Sequence, residues 1–183
     1  MVGRRLRRAA YRSGQFFRAM RATFGRLSAA ELALAHGRLP ATAWPLFDAM
    51  PVADQRHSLA VMAALQAAGH TEPPLMEAAL LHDCAKRTGD VRLWQRVAKV
   101  LLQTFWPALW ARWTADPAPD RSAWRYGLWA YRHHPTLGAE LAAAAGCDPR
   151  AVELIRRHEA PIRPGDLAAD PLLAALQAAD DDY

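Results

Sequence analysis

The sequence lacks most of the features that mark a secreted or membrane-spanning protein. Only two of its 183 residues are cysteines, Cys84 and Cys147, which is too few for a disulfide framework or a zinc ribbon. The basic N-terminus is followed by no apolar h-region, so we expect no secretory signal. The most apolar central stretch, residues 100–111, is shorter than the roughly 20 residues that cross a bilayer. We therefore expect a protein of the reducing cytoplasm.

β-Branched residues and phosphate-binding loops are also scarce. Alanine and leucine dominate the chain, and this composition predicts an all-α protein. At 183 residues the chain is long enough for a single domain with a sizeable core. The motif Gly-x-x-x-x-Gly-Lys-Ser/Thr does not occur in the sequence, which argues against a P-loop ATPase.

Acidic residues are missing from the first 26 positions, which hold eight arginines. The rest of the chain has 15 basic and 18 acidic residues, so the net charge of +5 comes from this arm. Apolar residues among the arginines predict a basic amphipathic helix over residues 4–24. Such a helix can pack on the domain and turn its arginines to solvent. Alternatively, residues 1–26 can contact an anionic membrane or a nucleic acid.

Capping residues and prolines divide the rest of the chain into helices. Ser28 and Glu31 have the spacing of a capping box, which predicts a helix start. Pro51, Pro73 and the pair Asp148-Pro149 are predicted to open further helices. The helix after Pro73 is apolar nearly all round, so we expect it to be central. The remaining predicted helices end at about Tyr131, run through Leu137 to Gly146, and run from Leu172 to about Asp180.

Six of the seven tryptophans fall between residues 94 and 129. Tryptophans at helical spacing usually line a core or the wall of a groove, and we favour this interpretation. The alternatives are a lid that faces a substrate and a surface that touches a membrane.

The segment from Leu80 to Lys86 combines a histidine, an aspartate and a lysine at the end of an apolar helical run. His82 and Asp83 are adjacent and would point about 100° apart on an ideal helix. They can therefore share one ion only where the helix ends or at the edge between two faces. An imidazole beside a carboxylate offers nitrogen and oxygen ligands, which suit divalent metals. A His-Asp dipeptide alone is weak evidence for a metal site.

Four further residues form a recognisable pattern with His82 and Asp83, one before them in the chain and three after them. His57 shares a predicted helical face with apolar residues, and by itself this favours a half-buried core histidine. His134 opens the sequence His-Pro-Thr-Leu-Gly, and His158 opens a His-Glu pair. Asp180 begins an Asp-Asp-Asp triplet. In this order, His … His-Asp … Asp, the chain resembles the HD-domain metal-dependent phosphohydrolases.

This resemblance covers most of the chain and implies a fold and a metal site. The implied fold is a single helical HD-domain bundle over residues 51–183, with residues 1–50 as a basic helical extension packed on it. The implied cofactor is one or two divalent metal ions, drawn from Mn, Fe, Mg, Ni or Co. By the pattern of the family, the first ion would be held by His57, His82, Asp83 and Asp180, and the second by Asp83, His134 and His158.

The resemblance also implies an activity. We expect hydrolysis of a phosphoester of a nucleotide or small phosphorylated metabolite by a metal-activated water. Asp83 would act at the centre of this chemistry, and Lys86 and Arg56 could hold phosphate oxygens or could simply be solvated. Glu159 could orient His158 or could be a surface charge. The alternative function is a non-catalytic HD-fold regulatory or binding module, associated with a membrane or nucleic acid through the arginine-rich arm.

Some positions depart from the pattern of the family. Ala85 stands where a glycine commonly precedes the lysine, and this change removes no ligand. Arg157 stands where a further histidine often precedes the His-Glu pair, and this change removes one possible ligand of the second ion. The context favours His134 over His133, and it favours Asp180 over the two aspartates that follow it.

Overall fold

The computed structural model describes residues 27–89, 93–161 and 169–182. Over these ranges the backbone forms helices and no strand, which confirms the all-α prediction. The predicted basic helix over residues 4–24 lies outside the described residues. In chain order the elements are α1 (Ala29–His36), α2 (Trp44–Asp48), α3 (Val52–Ala67), α4 (Pro73–Leu81), a 3-10 helix (Cys84–Gly89), α5 (Leu93–Phe105), α6 (Pro107–Trp113), α7 (Tyr126–Ala144), α8 (Pro149–Arg157) and α9 (Pro171–Asp182).

The helices begin where the capping residues predict. The Ser28 hydroxyl accepts a hydrogen bond from the backbone N–H of Glu31 at 3.2 Å. The Glu31 carboxylate accepts one in return from the backbone N–H of Ser28 at 2.7 Å, so the capping box of α1 is complete. The Asp148 carboxylate likewise accepts from the backbone N–H of Arg150 at 2.7 Å and caps α8.

α7 is a single helix, whereas the sequence predicted two helices separated at His134-Pro135. That prediction was wrong because an interior proline withholds only one backbone N–H donor from the helix. The carbonyl left without this donor belongs to Tyr131, four residues before Pro135. It accepts a hydrogen bond from Nδ1 of His134 at 2.7 Å instead. The helix therefore continues through the proline.

The main core surrounds α4, which is buried along nearly its whole length. This helix packs against α2, α3, α8 and α9, which confirms its predicted central position. Ala35 of α1 and Phe47 of α2 belong to the same apolar cluster. The division of the chain at residue 50 stays a prediction.

α5 and α6 pack beside α7 through a smaller cluster of Leu102, Trp110 and Leu128. Trp110 is buried there, in agreement with the interpretation of the tryptophans as core residues. Phe105 and Trp106, at the junction of α5 and α6, are instead 65% and 58% exposed. None of the helices in the described part of the chain is both long enough and apolar enough to span a membrane.

Candidate metal centre

Side chains from five separate parts of the fold meet in the core. We call this group the His/Asp cluster. Its members are His57 of α3, His82 and Asp83 directly after α4, His134 of α7, His158 directly after α8, and Asp180 of α9. Ring centroids of neighbouring histidines in it lie 5.0–5.3 Å apart. Four members are buried, while His57 and Asp180 are about a quarter exposed.

Three of the histidines are held by the same kind of hydrogen bond. In each, Nδ1 donates to the backbone carbonyl three residues earlier in the chain. The pairs are His82 with Ala79 at 3.0 Å, His134 with Tyr131 at 2.7 Å, and His158 with Ile155 at 2.7 Å. A carbonyl can only accept, so the proton is on Nδ1 and the neutral ring presents the lone pair of Nε2. This is how proteins orient a histidine that binds a metal through Nε2.

Each of these carbonyls is available because the helix does not use it. α4 ends one residue before His82, and α8 ends one residue before His158. The carbonyls that accept from these two rings therefore lie in last helical turns, where intrahelical donors run out. The carbonyl that accepts from His134 is released by Pro135 in the middle of α7. Two helix ends and one interior proline thus produce the same histidine orientation.

Asp83 lies between two sets of histidines. Its Oδ1 is 3.2 Å from Nε2 of His134 and 3.7 Å from Nε2 of His158. Its Oδ2 is 3.5 Å from Nε2 of His82. Two groups that could hold a metal ion therefore share this carboxylate, and within each group the ligand atoms lie within 4.8 Å of one another. We call His57, His82 and Asp83 the first triad, and Asp83, His134 and His158 the second triad.

Asp180 adds an oxygen beside the first triad. Its Oδ1 is 2.8 Å from Nε2 of His57 and 3.4 Å from Nε2 of His82. Asp181 and Asp182 are exposed. Of the three consecutive aspartates, the fold therefore turns the first toward the cluster. α9 continues to Asp182, so Asp180 is held within a helix.

The cluster contains polar atoms that need a positive charge between them. Nε2 of His82 and Oδ1 of Asp83 are buried and have no hydrogen-bond partner. Leaving such an atom unsatisfied costs about 1–3 kcal/mol, which an ion or a water can offset. Nε2 of His134 and Nε2 of His158 are 3.1 Å apart. With both protons on Nδ1, their lone pairs face each other, and a shared cation or proton removes the repulsion. The donor set thus fits divalent metal ions.

The protonation states agree with this fit. Burial opposes the charge on Asp83, but His82, Lys86 and His134 outweigh it and hold the pKa of Asp83 well below its usual range. Burial also opposes the charge on Asp180, but the contacts of this carboxylate with His57 and His82 outweigh it and lower the pKa of Asp180. Burial lowers the pKa of His158 to about 3, assisted by the neighbouring His82. At neutral pH the two carboxylates are therefore ionised and His158 is neutral.

The two predicted cations lie in different surroundings. The Lys86 ammonium forms a hydrogen-bonded ion pair with Oδ2 of Asp83 at the edge of the cluster. Arg56 acts on α1: the pKa of Glu31 is lowered first by hydrogen bonds from Ser28 and then by the charge of Arg56. The structure thus places Lys86 at the His/Asp cluster, and a role for Arg56 in binding phosphate stays a prediction.

Two residues that flank the predicted ligands point elsewhere. His133 stacks on Trp129 at 4.6 Å between ring centroids, and its Nε2 lies 3.0 Å from the carbonyl of Thr114. Arg157, which replaces a possible ligand, donates to the carboxylate of Asp170 at 3.1 Å. Neither residue therefore competes with the six members of the cluster.

An open pocket of about 410 Å³ connects the cluster to solvent. It is lined by His158, Glu159, Ala160, Gln177, Asp180 and Asp181. Glu159 is exposed and stands at this opening. Its lining includes His158 of the second triad and Asp180 beside the first triad. Solvent or a small molecule can therefore approach the cluster from this side.

Three contributors to the site are not evident from the sequence. Tyr131 acts through its carbonyl, which only the combination of His134 and a following proline could have indicated. Gly138 has no Cβ, and an added one would lie 3.4 Å from Ile155 and 3.5 Å from the sulfur of Cys84. At this position α7 packs directly against Ile155 and the segment after Asp83. The amide of Gln177 donates to the carbonyl of Arg157, the last residue of α8, at 3.1 Å and to that of Ala160 at 2.9 Å.

The thiol of Cys84 is not a further ligand, although it follows Asp83 directly. Burial, and next the negative charge of Asp83, raise its pKa to about 12. Its sulfur lies 4.0 Å from the carbonyl oxygen of Gly138, and neither group of possible metal ligands includes it. The cluster therefore offers nitrogen and oxygen ligands only.

Comparisons with protein-family models, with curated proteins and with solved structures found no match to this chain. Its buried histidine and aspartate groups could bind a metal ion.

Proposed function

We propose that the protein is a metal-dependent phosphohydrolase of the HD-domain type, which hydrolyses a phosphoester of a nucleotide or small phosphorylated metabolite. The observation that carries this proposal is that the first and second triads share Asp83. A shared carboxylate sets two cation sites side by side, as the two-metal hydrolysis of phosphoesters requires.

The proposal assigns the ligands as follows. One ion would be held by His57, His82, Asp83 and Asp180, and a second by Asp83, His134 and His158. Nitrogen and carboxylate ligands suit Mn, Fe, Ni and Co, and Mg is suited to the more oxygen-rich of the two sites. Bound ions would supply an activated water at neutral pH and positive charge for the phosphoryl oxygens.

Lys86 has two tasks in this proposal. Together with His82, which contributes more, its charge lowers the pKa of the shared carboxylate of Asp83. One of its three N–H donors is used on Asp83, so two remain for an oxygen of the phosphoryl group. Hydrogen bonds between charged partners are roughly twice as strong as neutral ones. Because the Lys86 side chain is 21% exposed, it lies where a substrate can reach it.

The pocket beside the second triad suggests how the rest of the substrate is placed. Its volume of about 410 Å³ is within the range of about 300–1,000 Å³ typical of small-molecule sites. Glu159 and Asp181 carry negative charge at its lining. Hydroxyl or amino groups of the substrate fit there better than a second phosphate would.

The proposal is tested by measuring phosphate release from the full chain loaded with Mn or Fe. The substrates are p-nitrophenyl phosphate and a panel of nucleoside mono- and diphosphates. His134→Ala removes a ligand of the second triad, and His133→Ala is its matched control, because His133 is adjacent but points toward Thr114. We expect hydrolysis that stops on chelation, falls at least tenfold in His134→Ala, and stays within about twofold in His133→Ala.

Two results would contradict the proposal in different ways. Metal binding without hydrolysis of any substrate would refute the activity and favour a regulatory or binding module of the same fold. If His134→Ala and His133→Ala lost activity equally, the loss could not be assigned to the missing ligand of the second triad. The second triad would then not govern catalysis.

A further inference from the structure

Two lysines approach the same aromatic ring next to the His/Asp cluster. The ammonium group of Lys99, on α5, lies 3.7 Å from the ring centroid of Tyr131. The ammonium group of Lys86 lies 5.7 Å from the same centroid. Both distances are within the range of about 6 Å over which an aromatic face attracts a cation. Two positive charges are therefore gathered around one ring, although they come from different elements of the fold.

The ammonium groups of Lys86 and Lys99 differ in whether a carboxylate neutralises their charge. Lys86 forms an ion pair with Asp83. Lys99 makes no ion pair with any carboxylate in the described part of the chain, and its contact there is with the ring of Tyr131. An aromatic face offers no strong hydrogen-bond acceptor, so the N–H donors of Lys99 remain available for an anion. Both ammonium groups add positive potential around the ring of Tyr131, which attracts an anion that carries more than one phosphoryl group.

Tyr131 links this pair to the cluster. Its carbonyl orients His134 of the second triad, at 2.7 Å. Its ring also meets the ring of His134, with centroids 5.6 Å apart. The ring of Tyr131 therefore contacts both Lys99 and a predicted metal ligand, His134.

We propose that Lys86, Tyr131 and Lys99 form a second anion subsite, so that the substrate carries a second phosphoryl group beside the one hydrolysed. This inference rests on the proposed function and narrows its substrate class to compounds with at least two phosphoryl groups. Lys86 contacts the phosphoryl group at the cluster, and Lys99 holds the next one. The ring of Tyr131 fixes Lys99 in place, and its hydroxyl can donate one more hydrogen bond.

Two kinds of substrate share this chemistry. In a diphosphate the two phosphoryl groups are joined by one bridging atom, and in a bisphosphate they are separate esters of one molecule. The probes are methylenediphosphonate for the first kind, fructose 1,6-bisphosphate for the second, and orthophosphate as the single-anion reference. The bridging carbon of the diphosphonate resists hydrolysis, so its binding can be measured at equilibrium.

Binding is measured by titration calorimetry on the Mn-loaded full chain. We expect one of the two probes with two phosphoryl groups to bind about tenfold more tightly than orthophosphate, and the probe that does so identifies the spacing. Lys99→Gln should reduce this preference to about twofold or less without changing orthophosphate affinity. Arg112→Gln is the matched control, because Arg112 is an exposed cation on α6. It should leave all three affinities unchanged.

Substitutions of Tyr131 separate the ring from its hydroxyl. Tyr131→Phe keeps the face that holds Lys99 and should retain most of the preference for the probe with two phosphoryl groups. Tyr131→Leu removes that face and should lose the preference as Lys99→Gln does. If Lys99→Gln leaves the preference intact, the subsite is refuted, while metal-dependent orthophosphate binding would still support the proposed function. If the Mn-loaded protein binds none of the three anions, the subsite and the proposed function are both refuted.

Discussion

The His/Asp cluster and the α5–α6 pair each depart from the usual rule that apolar side chains are buried and polar side chains are exposed. The cluster buries polar side chains, whereas the α5–α6 pair exposes apolar ones. At the cluster, His82, Asp83, His134 and His158 are buried although all four are polar. At the α5–α6 junction, apolar residues are exposed, and the largest of them are Phe105 and Trp106. Buried polar groups are costly unless they are paired, whereas an exposed apolar residue costs only its unburied area.

The difference indicates which part of the fold could hold a metal ion. Around the cluster, three helix-derived carbonyls fix three imidazoles, and two buried atoms still have no hydrogen-bond partner. Such an arrangement is stable when a cation completes it. The α5–α6 pair has a core of its own around Trp110, and its exposed Phe105 and Trp106 contact each other, with ring centroids 5.9 Å apart. The comparison therefore predicts large functional effects at the cluster and effects on stability that depend on burial at α5–α6.

The largest effect is expected from Asp83→Ala. It removes the carboxylate shared by the two triads, so we expect both ions to be lost and activity to fall by a hundredfold or more, because even outer partners of metal ligands are worth about 10–100-fold. Helical content, measured by circular dichroism, should stay unchanged, since Lys86 is partly exposed and can turn to water. Asp182→Asn, at an exposed carboxylate, is the control. Retained activity in Asp83→Ala would refute the role of this residue.

The next largest effect, a loss of stability, is expected from a buried tryptophan of the α5–α6 pair. Trp110→Ala empties a buried position between α5 and α7 and should lower the free energy of unfolding by about 3–5 kcal/mol. Urea denaturation, followed by circular dichroism, measures this change. Metal binding by the folded variant should be unaffected, because Trp110 is not among the members of the His/Asp cluster. A loss below about 1 kcal/mol would mean that the small core around Trp110 contributes little to the domain.

A subtler change tests how the cluster is oriented. Pro135→Ala restores a backbone N–H that can donate to the carbonyl of Tyr131 and displace Nδ1 of His134. We expect affinity for the second ion to fall about tenfold, while the midpoint of urea unfolding stays the same or rises, since proline is unfavourable inside a helix. Pro149→Ala is the control, because Pro149 lies in the first turn of α8. Unchanged affinity for both ions would contradict the proposed role of the proline.

The smallest effect is expected on the exposed side of the comparison. Trp106 is 58% exposed, so Trp106→Ala should change the free energy of unfolding by no more than about 0.5 kcal/mol. The same urea experiment compares it directly with Trp110→Ala. A loss above about 1 kcal/mol would show that Trp106 is covered in solution, and the contrast between the two tryptophans would then disappear.

The sequence predicted those parts of the fold that depend on neighbouring residues. Ser28 with Glu31, and Asp148 with Pro149, mark helix starts through local hydrogen bonds, and both are observed. The continuity of α7 could not be predicted in this way, because it depends on the His134 side chain taking over the carbonyl that Pro135 leaves free. A local pattern shows the missing donor but does not show its replacement.

The candidate site likewise contains residues that the sequence predicted and a contact that it could not predict. His57, His82, Asp83, His134, His158 and Asp180 were selected by their order in the chain, and the fold brings all six together. The approach of Lys99 to Tyr131 is different. It joins α5 to α7 across the fold, and neither residue belongs to a recognisable motif. Contacts of this kind depend on how the helices pack, so they appear only in the structure.

The most direct test of the account is the metal content of freshly purified protein, measured per chain by elemental analysis. The account predicts about two divalent ions, one for each triad that shares Asp83, and their loss in Asp83→Ala. A protein that holds no divalent ion, even after reconstitution with Mn or Fe, would contradict the central claim that the His/Asp cluster is a metal centre.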